Sequence, residues 1–300
     1  MSSEDKLYFD KIFVQKISAK LLSEKGVGLS VLRLDKIHPI ISGNKWFKLQ
    51  YYLQDAKQKG FNTIATFGGA WSNHISATAY ACKLNGLKCI GIIRGEKPLH
   101  FSETLLNALE HKMNLHFFSR SEYRNPAEIQ KKFQDVYWIN EGGYGIKGAE
   151  GAAEILSTTS ANMYSHIVCA VGTGTMMAGI IKAATTNQKI IGISVLKNHL
   201  TLSEKVGLLL TKDEQKKHFN INNDFHFGGY AKYNYQLLEF MKSVWYEHAL
   251  PTDIVYTSKT LYATNELIAD NTIKSGSNVL MIHSGGLQGN LSLPVNTLPF

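Results

Sequence analysis

Lys45 stands where a solvated lysine should not. The chain around it reads Ser42-Gly43-Asn44-Lys45-Trp46-Phe47-Lys48-Leu49, and from Asn44 to about Gly60 the residues Leu49, Tyr52, Leu53 and Ala56 recur at helical spacing. At about 100° per residue Lys45 falls on that apolar stripe, between Tyr52 and Ala56, while Lys48 lies toward the stripe's edge. A lysine desolvated near the positive end of a helix has its pKa pushed down and becomes a neutral amine that attacks carbonyls. Lys45 is therefore a candidate Schiff-base residue. The bland alternative is a lysine that snorkels to water from an amphipathic helix.

A second chemistry is suggested by Val168-Cys169-Ala170-Val171, then Gly172-Thr173-Gly174-Thr175, then Met176-Met177-Ala178-Gly179. This pattern is a strand, a glycine-rich turn and a helix, and such a turn aims backbone N–H groups and threonine hydroxyls at an anion. No Gly-Lys-Ser/Thr follows and the full dinucleotide fingerprint is missing, so the pattern suits a phosphate without a nucleotide; a plain tight turn is the other reading. Gly68-Gly69-Ala70-Trp71-Ser72-Asn73-His74 leads from another strand end into a helix. There Ser72 is either an ordinary N-cap or, with Asn73 and His74, part of a carboxylate and ligand-oxygen site. Tyr230 and Tyr256 form a candidate pair of phenols, although tyrosines in such a chain are commonly core residues.

The elements that would position these residues alternate regularly. A strand is expected at Gly28 to Asp35, and further β-rich runs at Asn62 to Phe67, Lys88 to Ile93, Asn114 to Phe118, Asp135 to Ile139, His166 to Val171, Lys189 to Val195 and Asn278 to His283 are separated by helical stretches. That alternation predicts an α/β protein with two open twisted parallel-sheet domains and helices on both faces. No composition shift marks a linker, so a smaller domain, 50–155, is expected as an insertion in a larger one formed by 1–49 and 156–300. Most strands end in glycine or a small polar residue, and in open parallel sheets ligands bind at those ends. The segment from Thr201 to Tyr235 is the least legible, with Asp224 to Tyr230 reading as a loop over a pocket.

Lysine and arginine number 32 against 24 acidic residues, a net charge of +8. The basic residues are scattered without aromatic interleaving, which argues against nucleic acid and for an enzyme that attracts small anions. The cysteines Cys82, Cys89 and Cys169 lack metal spacing, no H-E-x-x-H or G-x-S-x-G motif is found, and no run approaches membrane-spanning length. Met1 to Lys6 carry acidic residues with no apolar region following, so a cytoplasmic protein without a metal or membrane partner is expected.

An aldehyde-seeking lysine and a nucleotide-free phosphate cradle on one α/β scaffold are what pyridoxal 5'-phosphate needs. From about Leu32 to Gly286 the chain resembles the fold type II pyridoxal-phosphate enzymes, in particular the group of 1-aminocyclopropane-1-carboxylate (ACC) deaminase and D-cysteine desulfhydrase. The resemblance implies a cofactor at the domain interface, Lys45 as the cofactor-bearing lysine, Asn73 at the cofactor's phenolic oxygen and Ser72 at the substrate. It further implies Gly172, Thr173, Gly174 and Thr175 as the phosphate loop, Tyr230 and Tyr256 as active-site tyrosines, Thr257 at the pyridine nitrogen, and a homodimer. Glu141-Gly142-Gly143, with Gly148 and Gly151, resembles the group's glycine-rich stretch. Two departures matter: ACC deaminases proper carry glutamate where Thr257 stands, as the desulfhydrase branch does not, and the group's Tyr-x-Gly-Lys becomes Tyr256-Thr257-Ser258-Lys259. The implied activity is β-elimination from a small amino acid such as D-cysteine, giving pyruvate, ammonia and sulfide. ACC deamination to 2-oxobutanoate and ammonia, or cofactor binding without useful catalysis, are the alternatives.

Overall fold

The computed structural model describes residues 7–197, 199 and 201–300; Met1 to Lys6, on which the expectation of a cytoplasmic protein rests, lie outside the described residues. Among those described, no helix is long and apolar enough to cross a membrane. The chain begins with β1 (Val14–Ile17), α1 (Lys20–Lys25), β2 (Gly28–Arg33) and α2 (Asn44–Gln58). It continues with β3 (Thr63–Gly68), α3 (Asn73–Leu84), β4 (Lys88–Arg94), α4 (Glu103–Glu110), β5 (Met113–Phe118), α5 (Pro126–Gln130), β6 (Tyr137–Ile139) and α6 (Ile146–Ala153). Then come β7 (His166–Val171), α7 (Thr175–Ala183), β8 (Lys189–Ser194), α8 (Leu202–Gly207), β9 (Phe219–Asn222), α9 (Tyr235–His248), α10 (Thr257–Ala269) and β10 (Asn278–His283).

These strands form two sheets, a six-stranded one in the order β1-β2-β10-β7-β8-β9 and a four-stranded one in the order β5-β4-β3-β6. Every pairing is parallel except that of edge strand β1 with β2. Parallel strands are covered on both faces and so read as continuous apolar runs. In β7 all six residues are buried; Ile167, Cys169 and Val171 enter the core under α6 and α7, and Val168 enters the opposite core with Val244 of α9 and Leu261 of α10. The smaller sheet is likewise packed on two sides, Ile64, Cys89 and Ile139 facing one cluster and Phe67 and Ile92 the other.

Sequence expectation and structure differ at the edges. β1 and β9 were not foreseen, because each is short, half-exposed and broken by polar residues such as Gln15, Lys16, Asn220 and Asn222. The strand expected from Asp135 starts only at Tyr137, since Asp135 has φ 54°, outside the extended region.

Helix α2 joins the two halves. Phe47 packs in the core of the larger sheet, whereas Leu49, Tyr52, Leu53 and Ala56 pack with the smaller. The division expected between 49 and 50 thus falls inside a continuous helix. Ala149 and Ala152 of α6, counted above with the smaller unit, lie in the larger core beside α7. No side chain caps the start of α2. Instead Gly43 donates its N–H to the Leu34 carbonyl at 3.1 Å, and Asn44 donates to the Ser284 carbonyl at 3.1 Å, so the helix start is fastened to the ends of β2 and β10. Gly43 has φ 65°, and a Cβ there would lie 1.8 Å from the Ser284 oxygen, so only glycine brings Lys45 to this place.

Candidate active site

The carboxyl ends of β3, β6, β7 and β10 surround a cavity of about 980 Å³. Lys45, Ser72, Asn73 and His74 line it together with the turn residues Gly172, Thr173 and Gly174. Tyr230 and Tyr256 complete the wall, their hydroxyl oxygens 3.5 Å apart and their rings 6.1 Å apart edge to face. Sequence separation between these groups exceeds two hundred residues, and the two sheets bring them together.

Lys45 extends from the first turn of α2, its Nζ donating to Asn44 Oδ1 at 2.8 Å and lying 5.8 Å from the centre of the Tyr256 ring. Burial pushes its pKa from 10.5 down to about 8, and the buried Asp253 carboxylate works against that shift. A substantial fraction is therefore neutral near pH 8, the form that attacks an aldehyde. Lys48 corrects the helical-wheel reading. Placed toward the stripe's edge on the wheel, it is 6% exposed, lines the same cavity, and among the described residues its Nζ reaches only the Gly142 carbonyl, at 3.4 Å. Burial first, and Lys45 second, hold its pKa well below the ordinary lysine value. The signal was present, because Lys48 is one turn from both Lys45 and Tyr52.

Ser72 occupies the N-cap position of α3, yet its side chain makes no capping bond and remains available to a ligand. Asn73 donates Nδ2 to the Gly286 carbonyl at 3.2 Å, while its buried Oδ1 has no partner among the described residues. His74 sits 2.8 Å through Nε2 from Thr66 Oγ1, whose own proton goes to the Ile139 carbonyl, so Nε2 must carry the hydrogen. Its buried Nδ1 has no partner among the described residues, and burial pushes the imidazole pKa down to about 3. Two unpaired acceptors in one cavity wall are where a ligand's donors would be expected, since buried polar atoms in folded proteins are otherwise satisfied.

The turn after β7 puts Gly174 at φ 90° as the N-cap of α7, with no side chain filling the cap. Thr173 and Thr175 hydroxyls lie 3.0 Å apart. Thr175 itself is fully buried and does not line the cavity. Free N–H groups at a helix N-terminus with an adjacent buried lysine suit a phosphate.

Thr257 is placed differently from expectation. It is fully buried and is not among the lining residues; its hydroxyl donates to Asp253 Oδ2 at 2.6 Å and accepts from the Asp253 N–H at 2.7 Å. Asp253 also accepts from the N–H groups of Val255, Tyr256 and Thr257, capping α10 with a buried carboxylate. Ser284, at the end of β10, lines the cavity in its place and was not singled out from the sequence. Burial keeps both Tyr256 and Tyr230 above the usual phenol pKa, so each is a proton donor at neutral pH.

Fold and site together define an α/β enzyme built for carbonyl chemistry on an anionic cofactor held between two open sheets. Comparison with known proteins makes that class specific: residues 16–285 match the pyridoxal-phosphate dependent enzyme family, and the chain belongs to it. Its cofactor is pyridoxal 5'-phosphate. The chain is 34% identical to a putative 1-aminocyclopropane-1-carboxylate deaminase of Thermotoga maritima, the match covering 90% of this chain and 92% of that one. It is 28% identical to a bifunctional D-cysteine desulfhydrase/1-aminocyclopropane-1-carboxylate deaminase, mitochondrial, of Arabidopsis thaliana, over 88% of this chain and 73% of the other. A crystal structure of an ACC deaminase homologue superposes with a TM-score of 0.80 at 24% identity, covering 93% and 90% of the two chains, and shares the fold.

Proposed function

We propose that this chain is a pyridoxal-phosphate lyase that carries out β-elimination on a small amino acid, with D-cysteine as the first substrate and pyruvate, ammonia and sulfide as products. The bound cofactor supplies an aldehyde for an amine and a ring that withdraws electrons from the substrate's α-carbon. Lys45 would hold that aldehyde, the 172–175 turn and Lys48 would hold the phosphate, and Asn73 would meet the ring's oxygen with its second amide hydrogen. Ser72 and the N-terminal end of α3 would take the substrate carboxylate. Lys45 would be the base for an α-proton, and the protonated pair Tyr230 and Tyr256 would donate to a departing group.

The observation that carries elimination over ring opening is the wall beneath Tyr256, where Val255 and Ser284 line the cavity and Thr257 is turned away onto Asp253. A hydroxyl there cannot hold a fully protonated pyridine nitrogen as a carboxylate would, and a weaker electron sink suits simple loss of a β-leaving group. The second reading is ACC deamination, favoured by the 34% identity to a putative ACC deaminase. Purified protein would be assayed with D-cysteine, β-chloro-D-alanine, L-cysteine and ACC beside Lys45→Ala. Pyruvate from the first compounds supports elimination, 2-oxobutanoate from ACC supports the second reading, and rates equal to those of Lys45→Ala would sink both. Borohydride reduction and peptide mapping should place the label on Lys45; label on Lys48 would overturn the assignment.

The same reading keeps a larger unit of 1–49 with 156–300 and a smaller one of 50–155, except that α6 is better counted with the larger because it packs beside α7. A homodimer and a cytoplasmic location belong to the proposal too, to be checked by light scattering and cell fractionation.

A further inference from the structure

We propose that Lys259 is a positioning residue, whose two hydrogen bonds tie the 226–231 loop to α10 and thereby set Tyr230 against Tyr256. Lys259 is the third residue of α10, is wholly buried and does not line the cavity. Its Nζ donates to the His226 carbonyl at 2.9 Å and to the Gly229 carbonyl at 2.8 Å. Fully buried lysines are rare unless something uses their donors. Burial lowers this amine to about 8 against the pull of Asp253, yet whether charged or neutral it keeps hydrogens for both carbonyls.

What the lysine holds is an unusual piece of backbone. Phe227, Gly228, Gly229 and Ala231 have φ of 50°, 92°, 118° and 54°. L side chains such as those of Phe227 and Ala231 enter that region at a cost, so the loop needs a fixed partner to keep this course. Two of its carbonyls turn inward onto Nζ. The loop gains a further hold where the Phe227 ring meets Tyr262, one turn beyond Lys259 on α10, at 5.1 Å and 87°. Tyr230 follows Gly229 directly, and Tyr256 is the N-cap residue of the same helix. One helix therefore carries one phenol and, through Lys259, locates the other, leaving the oxygens 3.5 Å apart.

The placement stands on geometry alone, while its importance for turnover rests on the function proposed above, and the two can be tested apart. In Lys259→Met, which keeps the length and removes the donors, amides of Gly228 and Gly229 should exchange with deuterium at least tenfold faster, with β7 unchanged. Light-driven ruthenium oxidation should cross-link Tyr230 to Tyr256 in the unaltered protein and several-fold less in the variant. Unchanged exchange and unchanged cross-linking would overturn the proposal. If Lys259→Met fails to fold, Lys259→Gln, whose amide keeps two hydrogens, is read the same way and should give a smaller rise. For turnover of D-cysteine by the loaded enzyme, Lys259→Met should lower kcat more than it raises KM, and combined with Tyr230→Phe it should cost nothing further. Multiplying losses would show that Lys259 acts elsewhere and overturn its positioning role. A loosened loop with a fully active Tyr230→Phe enzyme would instead keep the tether and remove Tyr230 from the chemistry.

Discussion

The Thr257 hydroxyl and the Asp253 carboxylate are locked together at 2.6 Å inside the protein, behind the cavity rather than on its surface. Thr257 is therefore bound to the cap of α10, while Ser284 is one of the hydroxyl-bearing residues that line the cavity. Thr257→Val should cost about 1–3 kcal/mol of stability, because it leaves the Asp253 carboxylate and N–H each short of a partner. Its kcat/KM should change little. Ser284→Ala should do the reverse, lowering kcat/KM with a near-constant unfolding midpoint. Urea denaturation and steady-state kinetics on both variants decide it; an intact Thr257→Val fold with collapsed turnover would return Thr257 to the ligand.

Gly43 governs where Lys45 stands. Alanine there would combine φ 65° with a Cβ driven into the Ser284 carbonyl, so the loop must move. Gly43→Ala should lose about 3 kcal/mol of stability and, even where folded, bind cofactor at least tenfold more weakly. Denaturant titration and cofactor titration by absorbance would show it. A loss within about 0.5 kcal/mol, the range of indifferent surface changes, would mean that the fastening to Ser284 does not position the helix.

Much of this was legible in the sequence, and the reasons are local. β7 and β10 could be read to the residue because a strand buried on both faces must be apolar throughout and its glycine-bearing ends punctuate it. Lys45 could be nominated because its helix carries a clean stripe. The misplacement of Lys48 has a tertiary cause: α2 is gripped by two cores, Phe47 in one and Leu53 in the other, so its buried face is wider than a single stripe. Thr257 directly follows Tyr256 of the cavity wall, but the direction of its side chain is set by Asp253, a capping partner four residues upstream. Neither the orphaned Nδ1 of His74 nor the clamp made by Lys259 leaves any periodic trace, since each depends on what distant segments do or do not supply.

Burial and Lys45 hold Lys48 well below the ordinary lysine pKa, and a phosphate would supply the anion that favours its charged form. Lys48→Met keeps the side-chain length and should weaken pyridoxal phosphate about 10–100-fold, the worth of a charge-assisted hydrogen bond. Binding of pyridoxal, which lacks the phosphate, should be unaffected. Stability of the cofactor-free chain should not fall, because a buried amine with one long hydrogen bond is replaced by an apolar group. Equal weakening of both compounds would remove Lys48 from the phosphate and leave it as a neighbour of Lys45 alone.

The sign of the pH dependence follows from buried bases, Lys45 and His74 among them. Lys45 has its pKa lowered from 10.5 to about 8 and His74 from 6.5 to about 3. Between about 8 and 10.5 the unfolded chain binds the Lys45 proton more than the folded one does, and between about 3 and 6.5 the same holds for His74. In the cofactor-free protein both windows should therefore show stability rising with pH. The His74 contribution is fully present above 6.5, is lost as pH falls toward 3, and should vanish in His74→Gln. Cofactor uptake should follow the neutral fraction of Lys45, climbing about tenfold per pH unit below 8 and levelling above it. Because the Asp253 carboxylate raises Lys45, Asp253→Asn should move that midpoint downward. Stopped-flow uptake across pH 6 to 11 measures it directly; a midpoint near 10.5 in the unaltered protein would show Lys45 to be an ordinary solvated lysine, and the Schiff-base role would fall with it.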